Sequence, residues 1–341
     1  MAKQNEPSSK LVAILKDIPA ADAASAGAAA EKLISGGAET INELVELVGQ
    51  KFGDPAGATP KYALHAAVLY AGRPGDGKAR KTVAEALAGQ LGKDHSPELK
   101  AFIIRQLQFC GRAAEVSVLA KFLGDKRLCE PATQAMLAIG GEESAAALRG
   151  ALGSAKGKLR AGLLNAVGRL KDKPSAPAAR GLLADKERDV RIAAMYALGN
   201  IGDAESAGAL IKAAGGADSF ERTQAVDACL LLARSLAAGG DSANAAKTCR
   251  AIPTERSHDR CAALAALAET CCSEAIGDLN AAMDCKDVKV RHPAAVIAVK
   301  LAGMIRREHP ARTRELLTKV IGATKDAVVV RSAEALLSSL D

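Results

Sequence analysis

The sequence predicts an all-α fold, a right-handed solenoid of stacked antiparallel helix pairs. Three observations predict it: a phrase that recurs about every 31 residues, apolar residues at helical spacing inside each phrase, and no run of strand-like alternation to compete. The phrase is clearest from Asp189 to Asp203, and aligning it along the chain gives a ladder at Lys100, Cys129, Arg160, Arg191, Arg222, Arg260 and Arg291. Units this short cannot bury their own apolar faces and must stack.

The elements follow in order from that register. Met1 to Ser9 is polar and reads as a flexible tail. Residues 10–59 read as a degenerate end region, with one helix pair over Ala21–Gly36 and Ala38–Gly53. Residues 60–341 read as the regular solenoid, continuous with 10–59 as one domain. Its first unit is set at Lys61, with Leu64, Val68 and Ala71 three, seven and ten residues on.

In the ladder units the third residue on is mostly small, as in Ala132, Ala194, Ala225 and Ala294, which suits close helix approach. The seventh is Leu107, Met136, Val167, Leu198, Cys229, Leu267 or Ala298. Gly111, Gly140 and Gly202 stand eleven on, where a left-handed residue is expected to end the helix. A second helix follows, marked by Leu119 with Leu123, Leu148 with Leu152, Leu210 with Ala214 and Leu279 with Met283. Between Arg222 and Arg260 the spacing grows, which places an insertion around Ala237 to Ser257. A last unit is set at Arg331. Its single helix, Val328 to Leu340, is expected to fold back as a cap rather than serve an end-to-end dimer.

The phrase resembles the HEAT repeat, in the short bacterial form shared with phycobiliprotein lyases. The residues that carry the resemblance are the junctions Asp185 to Arg191 and Asp287 to Arg291, then the Ala-x-x-Ala-Leu-Gly-x-Ile-Gly-Asp run ending at Asp203. It implies that Arg160, Arg191, Arg222, Arg260 and Arg291, with Asp185 and Asp287, tie successive units together. It also implies that the second helices line a concave face. A bilin-lyase-like or oxidoreductase-associated role would transfer from similarity alone, because a fold does not fix a function.

Sites for chemistry are sparse. The chain has eight Cys, but no Cys-x2-Cys or paired-His spacing, and Cys110, Cys229 and Cys271 fall where other units place Ile, Leu or Gly. Burial as small hydrophobes is expected, with a redox or metal role for Cys249 to Cys285 as the rival and the adjacent Cys271-Cys272 as its strongest part. HEAT-repeat deoxyhypusine hydroxylases bind iron through His-Glu dipeptides, and this sequence has none, only Glu308-His309 reversed. With no Trp, three Tyr and five Phe, it also lacks the aromatic residues of a helical-repeat DNA glycosylase or a single-strand binder. Gly72 to Ala79 meets the spacing of a phosphate-binding loop, but a helix precedes it and Ala79 has no hydroxyl, so an inter-helix loop is expected, with Lys78, Arg80 and Lys81 as solvated surface. No catalytic residue, metal or cofactor is assigned.

The net charge of +7 suits an acidic partner. Lys121, Arg149, Arg180 and Lys212 recur on nearly one row beside the buried leucines of the second helices. The expected function is therefore a non-catalytic scaffold or adaptor that holds an acidic segment of a protein partner on this concave row. Phosphate-backbone binding by the same row is the further alternative. The absence of a long apolar run predicts no membrane insertion, and a cytoplasmic monomer is expected.

Overall fold

The computed structural model describes residues 6–75, 77–216 and 219–340, and among them it contains twenty α-helices, short 3-10 turns and no strand. Contacts cluster into two units, Met1–Ala166 and Val167–Asp341. The first holds α1 (Ser9–Leu15), α2 (Ala23–Ser35), α3 (Gly37–Gln50), α4 (Ala58–Ala71), α5 (Gly77–Leu91), α6 (Pro97–Cys110), α7 (Val116–Ala120), α8 (Cys129–Ile139), α9 (Gly141–Leu152) and most of α10 (Gly157–Arg169). The second holds the end of α10, then α11 (Ala176–Gly181), α12 (Arg188–Ile201), α13 (Ala207–Gly216), α14 (Ser219–Ala238) and α15 (Ser242–Ala251). It continues with α16 (Ser257–Cys271), α17 (Ile276–Met283), α18 (Val288–Ile305), α19 (Pro310–Ala323) and α20 (Ala327–Ser338).

Within each unit even-numbered helices stack on one another and odd-numbered helices stack beside them. In unit 1, α2 packs on α4, α4 on α6, α6 on α8, α3 on α5 and α7 on α9. In unit 2, α12 packs on α14, α14 on α16, α16 on α18 and α17 on α19. The ladder offsets are the reason. Every third-offset residue from Ile103 to Ala294 and every seventh-offset residue from Leu107 to Ala298 is buried, as are both leucine marks of each second helix. Tenth-offset positions are mixed: Cys110, Ile201, Leu232 and Leu301 are buried, whereas Ile139, Leu170 and Thr270 lie half out at the helix ends.

Glycine eight residues past the ladder brings the stacked helices close in unit 2. A Cβ on Gly168 would stand 2.8 Å from Ala197 Cα, and one on Gly199 would stand 2.9 Å from the Ala228 carbonyl oxygen. Helix starts are fixed by side-chain caps. Ser8 caps α1, so that helix begins inside the segment expected as a tail, whose residues 1–5 lie outside the described residues. Asp22, Ser96, Asp241, Asp287 and Asp326 cap α2, α6, α15, α18 and α20.

Three local expectations are corrected. The helix-ending glycines do not share one conformation: Gly202 is left-handed at φ 70 and ψ 38, Gly140 has φ 70 with ψ −162, and Gly111 is extended at φ −62 and ψ 157. Gly111 has no need of the left-handed region, because Arg80 of α5 donates to its carbonyl at 2.7 Å and to that of Cys110 at 3.0 Å, closing the end of α6 from another helix. Arg80 is accordingly half-buried and not a solvated charge.

The extra residues expected as an insertion between Arg222 and Arg260 are helical: α14 runs on to Ala238, followed by a full second helix, α15. The last unit is set one residue too late at Arg331. Asp287 and Asp326 are equivalent caps, and four residues past each stand Arg291 and Val330. Ala333, three beyond Val330, is the fully buried residue. The helix itself, α20, packs on α18 and α19, and Asp341 lies outside the described residues.

Candidate functional site

The ladder residues sit in the first turns of the even-numbered helices, and their guanidinium groups reach in two directions. Arg191 donates to the backbone carbonyls of Asp185 at 2.8 Å and Lys186 at 3.2 Å, holding the preceding turn. It also meets Glu221 of the next repeat through Nε at 3.0 Å and Nη2 at 2.5 Å, a two-point pair. Arg222 repeats the forward contact, meeting Asp259 at 3.4 Å and Glu255 at 2.6 Å, and the hydrogen bond from Arg222 holds the Glu255 carboxyl below its ordinary value of 4.5.

Glu221 and Asp259 each stand one residue before a ladder arginine and are 8% and 4% exposed, so these are inter-repeat ties made by buried carboxylates. Arg160 donates to the Ala155 carbonyl at 2.6 Å, and Arg260 to Cys285 Sγ at 3.4 Å. The Asp185 carboxylate accepts the Glu187 N–H, and that of Asp287 accepts from Lys289 N–H and Ser257 Oγ.

The row read from sequence divides in two. Arg149 donates to Glu142 at 2.9 Å. Arg180 is three-quarters buried and bonded to Asp203, to Ser206 Oγ at 3.2 Å and to Glu205 at 3.3 Å, all at the start of the next pair. Lys121 and Lys212 are exposed and make no hydrogen bond or ion pair with their side chains among the described residues. Lys121 and Arg149 belong to unit 1, Arg180 and Lys212 to unit 2.

Grooves open instead at the C-terminal ends of neighbouring odd-numbered helices. Between α7 and α9 a groove of 500 Å³ is lined by Lys126, Lys156 and Lys158, with Leu123, Leu159 and Ala151 beneath, and no carboxylate is among its lining residues. The three lysines are exposed and have no ion-pair partner among the described residues. Asp125, next to Lys126, is exposed, and its carboxylate accepts the N–H groups of Arg127 at 2.7 Å and Leu128 at 3.0 Å. Between α11 and α13 a groove of 390 Å³ is lined by Arg180, Arg191, Lys212, Glu221 and Met195. Between α17 and α19 a cleft of 930 Å³ is lined by Arg291, Arg314, Lys319, Asp284 and Glu315.

The sequence reading missed the first groove because Lys126 and Lys156 stand in two inter-helix turns and Lys158 at the start of α10, positions that the register of the second helices does not relate.

The thiols are mostly core. Cys110, Cys129, Cys229 and Cys249 are buried, and burial pushes the Cys110 and Cys229 thiols up to about 12. Cys261 donates to the Lys289 carbonyl at 3.4 Å, the acceptor that Pro293, four residues on in α18, cannot use. Among the described residues no group of three or more His, Cys, Asp or Glu could hold a metal ion. The side chains of Cys271 and Cys272 lie outside the described residues, as does Asp76 in the loop after Gly72. That loop is preceded by α4 and followed by α5.

Residues 145–229 match the family model of HEAT repeats. That segment carries the HEAT-repeat pattern. The whole chain is similar in fold to the crystal structure of a Kap121p mutant, with a TM-score of 0.52 at 10% identity, over 100% of this chain and 44% of that one. It also aligns with importin beta crystallised in an ammonium sulfate condition, with a TM-score of 0.43 at 12% identity, over 97% of this chain and 55% of that one. It thus spans about half the length of these proteins. No curated protein matches it.

No helix among the described residues is long and apolar enough to cross a membrane.

Proposed function

We propose that this HEAT-repeat chain is a non-catalytic scaffold that binds an acidic segment of a protein partner at the C-terminal ends of the odd-numbered helices α7 and α9. The observation that carries this reading is the groove between α7 and α9, where Lys126, Lys156 and Lys158 converge with no carboxylate in the lining. Three unneutralised ammonium groups over an apolar floor suit a carboxylate-bearing peptide, which supplies counter-charges and side-chain contact together. Lys121, the free member of the sequence-derived row in this unit, can join such a surface, and Lys212 is the free member within unit 2. Arg149 and Arg180 are already engaged with Glu142 and Asp203. A bacterial, cytoplasmic setting fits this reading, and a monomer suffices for it.

The test is fluorescence anisotropy with a labelled glutamate- and aspartate-rich peptide and a labelled DNA duplex, comparing wild type with Lys126→Glu/Lys156→Glu/Lys158→Glu. The peptide is expected to bind wild type and to lose at least about tenfold in the triple variant, as three charge contacts of roughly 0.5 kcal/mol each would give. A duplex that binds more tightly than the peptide, with affinity falling steeply as salt rises, replaces the protein-partner reading by phosphate-backbone binding.

A further inference from the structure

The cleft between α17 and α19 contains a ladder arginine without its counter-charge. In the two repeats where the forward tie is complete, the guanidinium of Arg191 or Arg222 meets the carboxylate of Glu221 or Asp259. In both, that acid immediately precedes the next ladder residue and is buried. The same position is Val190 ahead of Arg160 and Val290 ahead of Arg260, and those arginines instead donate to the Ala155 carbonyl and to Cys285 Sγ. The capping aspartates fix the corresponding register for the last repeat: Arg291 is four residues past Asp287, and Val330 is four past Asp326. The residue before Val330 is Val329, which is 9% exposed and carries no charge. Arg291 is half-buried and makes no hydrogen bond or ion pair with its side chain among the described residues. It does not lie in a closed core, where such a group would be costly, but lines a cleft of 930 Å³.

We infer that this cleft takes a carboxylate side chain from a partner polypeptide, seated on Arg291 as Glu221 is seated on Arg191. The proposal deepens the acidic-partner reading and rests on it only for the acidic character of the segment. Size and charge both fit. The cleft is larger than the groove in which Arg191 already holds Glu221, so it has room for an entering side chain.

Its other cations are partly neutralised: Lys319 Nζ is 2.5 Å from Asp284 Oδ1, and Glu315 shares the lining with Arg314. Three cations against two carboxylates leave one net positive charge, which matches a single carboxylate and penalises a phosphate dianion through Asp284 and Glu315. A guanidinium also offers the planar two-point geometry that a carboxylate accepts.

The experiment follows the arginine Nε–Hε resonances of the full chain by NMR, with capped tetraglutamate as probe and capped tetraglutamine and inorganic phosphate as controls. The Arg291 signal is identified by its loss in Arg291→Gln. It is expected to move saturably with tetraglutamate while the signals of Arg191 and Arg222 stay in place. The same response is expected in the Lys126→Glu/Lys156→Glu/Lys158→Glu variant, so failure of the α7–α9 groove and failure of this cleft are read separately.

Val329→Glu restores the carboxylate in register. It is expected to shift the Arg291 signal without peptide and to weaken the peptide response at least about fivefold by competition. If Val329→Glu does not fold by circular dichroism, Arg291→Gln carries the test through loss of peptide affinity in wild-type-like protein. An Arg291 signal that ignores tetraglutamate, answers tetraglutamine equally, or answers phosphate at lower concentration overturns the assignment.

Discussion

At the scale of single residues, the register makes one lysine stand out. Gly140 and Gly202 use positive φ eleven residues past the ladder, and in the repeat of Arg160 that offset is Lys171, at φ 54. A Cβ in this region crowds the carbonyl oxygen and costs about 1 kcal/mol, which glycine avoids. Lys171 is exposed, so nothing else is lost from the core by removing it. Lys171→Gly is therefore expected to stabilise the protein by about 1 kcal/mol, reduced by the greater freedom glycine gives the unfolded chain. A urea titration of both proteins measures it, and an unchanged or lower midpoint contradicts the strain. The same reasoning explains why the ladder could not be read from residue type alone. Arg80 replaces a glycine's conformational freedom at Gly111 by donating to two terminal carbonyls from a neighbouring helix, a contact 31 residues away in sequence.

Single elements depend on their caps. The N–H groups of Val329 and Val328 donate to Asp326 and hold its carboxyl below the ordinary 3.8, and Asp287 is lowered likewise by Ser257 Oγ and the Lys289 N–H. A depressed folded pKa means stabilisation that is complete above the unfolded value and is lost as pH falls through the folded one. Asparagine caps a helix without titrating. Asp326→Asn is thus expected to leave α20 formed at neutral pH and to lessen the fall in denaturant midpoint between about pH 5 and about pH 3. An equal fall in both proteins would show that the cap does not contribute to acid sensitivity.

Most helices were legible because their apolar residues repeat at the third and seventh offsets, which are buried without exception from Ile103 to Ala298. The extension of α14 to Ala238 and the placement of the last unit on Val330 were not. An insertion that continues a helix leaves the periodic pattern intact, and a run of three valines offers more than one register. The basic site was legible only in part, since Lys121 and Lys212 are free but the partners of Arg180 lie in another helix pair. Lys156 comes from the turn before α10 and Lys158 from that helix's first turn, so neither follows from the register of the second helices.

For the whole molecule, the distribution of cysteines provides a direct readout of how the fold opens. Unit 1 encloses Cys110 and Cys129, and unit 2 encloses Cys229 and Cys249, whereas Cys261 and Cys285 are half-exposed. With the Cys110 and Cys229 thiols raised to about 12, almost no thiolate exists in the native state near neutral pH, and burial denies access to a reagent. Maleimide labelling followed by peptide mass spectrometry is expected to modify Cys285 early and Cys110 and Cys229 only when their units unfold. Early labelling of Cys110 would contradict its packing. Because the deeply buried sulfurs are divided between the units, their labelling half-times form two clocks in one chain, and their agreement or divergence across a denaturant series reports whether the stack melts as one cooperative body or as two.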